Sequence, residues 1–143
     1  MPPLDTIQKG KESKPPRLLI YGNEGCGKST WGAAAPKPIF IQTEDGLGEI
    51  DCAKFPLARS FSEVQSALTA LRDEPHDFQT VVLDSADWLE RLIGDQVCAE
   101  FGVRNIEKAD GGFGKGYVHA LTHWRKVVSL LDELRNKRGM ITI

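Results

Sequence analysis

A glycine-rich segment restricts the possible folds of this chain more than anything else in it: residues 22–29 read Gly-Asn-Glu-Gly-Cys-Gly-Lys-Ser. They fit the pattern G-x-x-x-x-G-K-[ST], which joins a strand to a helix. Such a loop turns its backbone N–H groups inward as a nest for phosphate oxygens, and the following helix adds the partial positive charge of its N-terminus. The sequence therefore predicts a phosphate-binding site formed by Gly22, Asn23, Glu24, Gly25, Cys26, Gly27, Lys28, Ser29 and Thr30.

Two side chains of this loop have predicted individual roles. Lys28 is expected to reach the β- and γ-phosphates of a nucleotide, and the Ser29 hydroxyl to ligate Mg²⁺. A second metal residue is predicted at Asp84, which ends the apolar run of residues 80–84. An aspartate in that position stands at the C-terminal edge of the sheet, where open α/β folds bind their ligands. Asp84 is therefore expected to hold the Mg²⁺ through a water molecule, opposite Ser29.

Glu44 follows another apolar run, residues 38–43, and is the predicted catalytic carboxylate. A glutamate there can orient and deprotonate a water that attacks the γ-phosphate. Asp84 is followed by Ser85 and not by a glutamate, so no acid stands beside the metal carboxylate in the chain and Glu44 can take that role. The alternative is a loop carboxylate that only caps a turn.

Apolar runs and helical repeats alternate along the chain. Continuous apolar runs predict strands at residues 18–21, 38–43, 80–84 and 140–143. Helical spacing, a capping box at Ser60 and Glu63, and stop signals at Gly102 and Gly139 predict helices at residues 28–35, 60–71, 88–101 and 117–137. This alternation is typical of an α/β fold with a mostly parallel sheet and helices on both faces.

The last helix is predicted to pack through one apolar stripe, made of Val118, Leu121, Trp124, Val128, Leu131 and Leu134. His119 and His123 lie one helical turn apart and are expected on the polar side as a solvated pair. All three tryptophans, Trp31, Trp88 and Trp124, are predicted to lie in the core.

Composition excludes several classes of protein. The longest apolar runs are far too short to cross a bilayer, and the N-terminus carries no secretory signal, so no membrane association is expected. The net charge of −2 does not suit a globally basic nucleic-acid protein. Three widely spaced cysteines without a C-x-x-C pair indicate free thiols in a reducing cytoplasm.

Two regions are predicted along the chain. Residues 1–16 contain four prolines and a polar run, which is typical of a flexible leader. Residues 17–143 form the predicted core. Its last predicted strand coincides with the end of the sequence, so the core is expected to be truncated, with its C-terminal part missing.

Several of these segments together resemble the RecA-like ATPase core. They are the phosphate loop, Phe40-Ile41-Gln42-Thr43-Glu44, Val82-Leu83-Asp84-Ser85 and Gly114-Lys115-Gly116-Tyr117. The chain is most similar to the phage nucleotide-binding ATPases of that group, which include single-strand-annealing recombination proteins. The resemblance covers residues 17–143.

The resemblance implies a RecA-like P-loop NTPase fold and Mg²⁺-dependent ATP hydrolysis stimulated by DNA. Lys28 and Ser29 would bind phosphate and metal, Asp84 would support the metal, and Glu44 would activate water. Single-stranded DNA is the implied partner, with annealing or strand exchange as the activity. A homo-oligomer, a single-strand-binding protein as a further partner, and the cytoplasm of an infected bacterium are also implied.

Other functions remain open or are disfavoured by the residues. Asn136-Lys137-Arg138-Gly139 places Gly where a GTPase needs the aspartate that reads guanine. A small-molecule kinase would carry an arginine-rich lid, whereas residues 103–116 offer only Arg104, Lys108 and Lys115. A nucleotide-gated binding module without turnover is the other alternative. The glycine-rich residues 111–116 are either a mobile loop that brings Lys115 and Phe113 to DNA or a plain linker.

Overall fold

The computed structural model describes residues 3–143, which form one parallel sheet with helices on both of its faces. The helices are α1 (Lys28–Ala33), α2 (Phe61–Asp73), α3 (Ala86–Phe101) and α4 (Lys115–Arg138). The strands are β1 (Pro38–Gln42), β2 (Ala53–Lys54), β3 (Thr80–Asp84) and β4 (Ile141–Thr142). Short 3₁₀ helices lie at Pro3–Thr6 and Ile106–Gly111. The predicted α/β class is confirmed.

The strands follow the order β2-β1-β3-β4, and every neighbouring pair is parallel. In the central pair Pro38 is opposite Thr80 and Gln42 is opposite Asp84. Parallel strands in register end at the same edge, so the residues after β1 and those after β3 meet there. This edge carries the candidate site.

Side chains alternate between the two faces of the sheet because successive strand residues point in opposite directions. Ile39, Ile41 and Val81 belong to the larger core under α2, α3 and α4. On the other face Phe40 and Val82 pack with Leu47 and approach α1. A Cβ on Gly32 of α1 would lie 3.2 Å from a Val82 methyl, so glycine there allows the helix to sit close to the sheet.

The strand predicted at residues 18–21 is not formed. Arg17 makes a single parallel bridge with Thr142, and the Leu18 amide donates to the Thr142 carbonyl at 2.8 Å. Leu19 and Tyr21 are 82% and 89% exposed, so the prediction of a buried strand was wrong. Residues 18–21 form no strand because their neighbour β4 contains only two residues. An apolar run becomes a strand only where another strand pairs with it.

Most predicted helices exist with shifted ends. Ser60 caps α2 as predicted, since its hydroxyl accepts a hydrogen bond from the Glu63 amide at 3.2 Å. Gly102 and Gly139 terminate α3 and α4 in left-handed conformations. The sequence did not predict β2 or the 3₁₀ helix at Ile106–Gly111, because both are too short to show a periodic pattern.

Helix α4 buries only part of the predicted stripe: Leu134 is buried and Trp124 and Leu131 pack against the core, whereas the rest of the stripe is exposed. Its buried residues are Gly116, His123, Val127 and Leu134. From the predicted stripe, Val118, Leu121 and Val128 are 64%, 48% and 50% exposed. Gly116 explains the rotation, because it packs directly against the Ile106 carbonyl and leaves no space for a side chain. That contact orients the helix so that the face carrying residues 116, 123 and 127 points toward the core.

His123 and two tryptophans correct further predictions. His123 is buried, with its Nε2 atom 2.9 Å from Glu100 Oε1 and its ring against Phe61, so it is not half of a solvated pair. Trp31 and Trp88 are 52% and 41% exposed and lie outside the core. Trp124 packs against the core as predicted.

Candidate nucleotide-binding site

The predicted phosphate loop connects the segment beside β4 to the first residue of α1. Gly27 is the N-cap of α1 with φ of 100°, a left-handed conformation that glycine adopts without steric cost. Residues 22–27 and Thr30 are exposed, while Lys28 and Ser29 are half-buried. The loop is therefore open to a ligand from solvent, with its two chemically specialised side chains at its inner end.

The Lys28 ammonium lies over the loop and is held by the loop's own backbone. Its Nζ atom donates to the carbonyl oxygens of Gly22 at 2.7 Å and Asn23 at 3.1 Å, and lies 3.8 Å from Cys26 Sγ. An ammonium group has three donors and no acceptor, so it suits phosphate oxygens at the same position. The role of Lys28 toward phosphate stays a prediction.

Ser29 and Asp84 meet at the C-terminal edge of the sheet. The Ser29 hydroxyl donates a hydrogen bond to Asp84 Oδ2, and both side chains are partly buried. Hydroxyl and carboxylate oxygens are hard donors of the kind that Mg²⁺ prefers, so these two residues fit the metal. No group of three or more His, Cys, Asp or Glu side chains in residues 3–143 could hold an ion.

Glu44 stands beside the same carboxylate. It follows β1, Asp84 ends β3, and the register of the two strands brings them together. Burial, the charge of Asp84 and a hydrogen bond with the Asp84 side chain raise the pKa of Glu44 above its ordinary value of 4.5. A carboxylate whose proton affinity is raised is a better general base. The fold thus brings Ser29, Asp84 and Glu44 into one site.

Thr43 was not singled out from the sequence, although it lies between β1 and Glu44. Its side chain is 5% exposed and its hydroxyl bonds to both backbone polar groups of Ser85. Nothing in a single sequence marks this residue, because its partner is 42 positions away.

A parallel α/β sheet with a glycine-rich phosphate loop, a lysine and an aspartate in this arrangement defines a P-loop NTPase fold. The model of the AAA domain family matches residues 14–143, and the chain belongs to that family. It is therefore a domain of the nucleotide-binding and nucleotide-hydrolysing type.

One curated relative of the chain comes from a prophage. The chain is 26% identical over 134 residues to the "SPbeta prophage-derived uncharacterized protein YorG" of Bacillus subtilis (strain 168). The match covers 91% of this chain and 41% of the relative, so the chain spans less than half of that protein's length. No solved structure matches the chain.

None of the helices in residues 3–143 is both long and apolar enough to cross a membrane.

Proposed function

We propose that this domain binds ATP with Mg²⁺ at residues 22–30 and hydrolyses it, with Glu44 as the general base. The observation that carries the proposal is the meeting of Ser29, Asp84 and Glu44 at one edge of the sheet. Lys28 and the loop amides bind the phosphates, and Ser29 and Asp84 hold the metal. Mg²⁺, when bound, neutralises phosphate charge; the protein's own part is to position a water and accept its proton at Glu44.

ATP turnover by Glu44→Gln tests the assignment of the base. The variant is expected to bind Mg²⁺–ATP normally while turnover falls by about 100-fold or more, which is the usual contribution of general-base catalysis. Asp45→Asn is the matched control, since Asp45 is the exposed next residue and should retain wild-type turnover. If the wild type binds ATP tightly but does not turn it over, a nucleotide-gated binding module is favoured. Transfer of the γ-phosphoryl group to a small acceptor would favour a kinase.

We further propose that the domain acts in phage DNA recombination or repair on single-stranded DNA, by annealing or strand exchange. Phe113 supports this, because it is completely exposed on a segment flanked by Gly112 and Gly114. Lys115 follows it and is also exposed, and Tyr117 is 54% exposed. Exposed aromatic rings beside cations bind single strands by stacking on bases and attracting phosphates. The prophage relative is consistent with this setting.

Binding of fluorescent single-stranded DNA tests the nucleic-acid proposal. Phe113→Ala is expected to weaken binding by about 5- to 150-fold, because a stacked base contributes roughly 1–3 kcal/mol. Phe113→Trp retains a stacking ring and serves as the control, and neither change disturbs the core because the side chain is fully exposed. Equal affinities for all three proteins would contradict the role of this segment. Assembly into a homo-oligomer and association with a single-strand-binding protein remain predictions.

A further inference from the structure

Thr43 makes three hydrogen bonds to the backbone at the end of β3, one to Asp84 and two to Ser85. Its hydroxyl donates to the Ser85 carbonyl at 2.7 Å and accepts from the Ser85 amide at 2.8 Å. Its own amide donates to the Asp84 carbonyl at 2.8 Å. The Thr43 side chain is 5% exposed, so water does not compete for these bonds. One side chain therefore bonds both backbone polar groups of Ser85, the residue that directly follows the neighbouring strand β3.

These bonds lie where the sheet ends. The last paired residues of β1 and β3 are Gln42 and Asp84, so Thr43 and Ser85 are the first pair beyond the ladder. Glu44 comes directly after Thr43 and leads into the exposed residues Asp45 and Gly46. Ser85 is the N-cap of α3, and its side chain makes no capping bond. The Thr43 hydroxyl therefore holds the two departing chains together at the point where the carboxylates stand.

We propose that Thr43 is a positioning residue for ATP hydrolysis, whose hydroxyl fixes the separation of Glu44 from Asp84. This inference rests on the proposed function, because it assigns Thr43 to the same reaction. Reactive groups must be held close to their productive geometry, and a misplacement of about 1 Å can cost roughly 100-fold in rate. Phosphate binding does not depend on Thr43, since Lys28 and the loop lie on a different segment.

The chain offers a matched control at the opposite end of the same sheet. Thr80 is fully buried at the start of β3, and its hydroxyl donates to the Pro36 carbonyl at 2.7 Å. Thr80→Val removes a buried hydroxyl bond of the same length, but it lies far along β3 from Asp84. A general loss of sheet stability would affect Thr43→Val and Thr80→Val alike, whereas a positioning role belongs to Thr43 alone.

The experiment compares kcat and KM for Mg²⁺–ATP, together with Tm, for the wild type, Thr43→Val, Thr43→Ser and Thr80→Val. Thr43→Val is expected to lower kcat by about 10- to 100-fold while KM stays within about twofold. Thr43→Ser keeps the hydroxyl and should restore kcat to within about threefold of the wild type. Thr80→Val should lower Tm and retain kcat at a temperature where it is folded.

Four outcomes would overturn the inference. The inference fails if the wild type is active and Thr43→Val is equally active. It also fails if Thr43→Val and Thr80→Val lose kcat equally. Either result leaves the proposed function standing. If the wild type shows no turnover and Glu44→Gln is indistinguishable from it, both the inference about Thr43 and the proposed function are overturned. If Thr43→Val does not fold, Thr43→Cys replaces it, because a thiol hydrogen-bonds weakly; kcat equal to that of Thr43→Ser would then overturn the inference.

Discussion

The Ser29 hydroxyl donates a hydrogen bond to the Asp84 carboxylate, although 55 positions separate the two residues in the chain. Ser29 is the second residue of α1 and Asp84 is the last residue of β3. Both lie at the C-terminal edge of the sheet because all the strands are parallel. Two oxygen donors that are remote in the sequence thereby meet at one edge of the sheet.

Replacing Lys28 by methionine should weaken ATP binding by about 10- to 100-fold, since hydrogen bonds to charged groups contribute roughly 1.5–3 kcal/mol. Methionine keeps much of the side-chain length but has no ammonium group. Titration with a fluorescent ATP analogue measures the change. Lys126→Met, an exposed lysine of α4, removes the same charge and should bind as the wild type does. An unchanged affinity in Lys28→Met would exclude this loop as the phosphate site.

Asp84→Asn should selectively weaken binding of the metal complex. Loss of a carboxylate that supports a metal commonly costs about 10- to 100-fold in metal affinity. The nucleotide affinity measured in EDTA should change little, and the increase in nucleotide affinity on adding Mg²⁺ should be smaller than in the wild type. Asp87→Asn, an exposed carboxylate in the first turn of α3, is the control. If both variants responded to Mg²⁺ as the wild type does, Asp84 would not be a metal residue.

Glu44→Gln should stabilise the protein at neutral pH in the absence of Mg²⁺ and nucleotide. Burial and then the Asp84 charge raise the pKa of Glu44 in the folded state above its ordinary value of 4.5. The ionised carboxylate therefore destabilises the folded state above the raised pKa; this destabilisation is lost as the pH falls through the raised pKa and is absent below 4.5. Urea unfolding across this pH range measures the difference. A variant no more stable than the wild type at neutral pH would contradict the prediction.

Gly116→Ala should destabilise the protein by about 1–3 kcal/mol, the usual cost of overpacking. Its Cβ would clash with the Ile106 carbonyl oxygen, so α4 would have to shift. Gly94→Ala in α3 is the control, because its Cβ would contact nothing within 4 Å. That change should stabilise the helix by about 0.5–1 kcal/mol. Thermal unfolding of both variants provides the measurement, and a neutral Gly116→Ala would show that this contact does not set the rotation of α4.

Much of the fold follows from local signals in the sequence. The phosphate loop, the Ser60 cap and the glycine stops of α3 and α4 depend on residues a few positions apart, so one sequence is enough to predict them. The apolar runs at β1 and β3 were also sufficient, because both strands are flanked on each side within the sheet. Asp84 and Glu44 could be placed at the same edge for the same reason.

The tertiary structure decided what depends on partners distant in the chain. Residues 18–21 are as apolar as β3, yet β4 bridges only to Arg17 before them, and Leu18, Leu19 and Tyr21 remain exposed. The buried face of α4 was set by the contact between Gly116 and Ile106, which buried His123 in place of the more apolar Leu121. Thr43 contacts the site through Ser85, the first residue after β3, which lies 42 positions away in the chain. The sequence by itself determined which chemical groups this protein carries and where its local turns and caps form. Packing between distant segments determined which of those groups meet, because backbone pairing and close contact are properties of two surfaces and not of one.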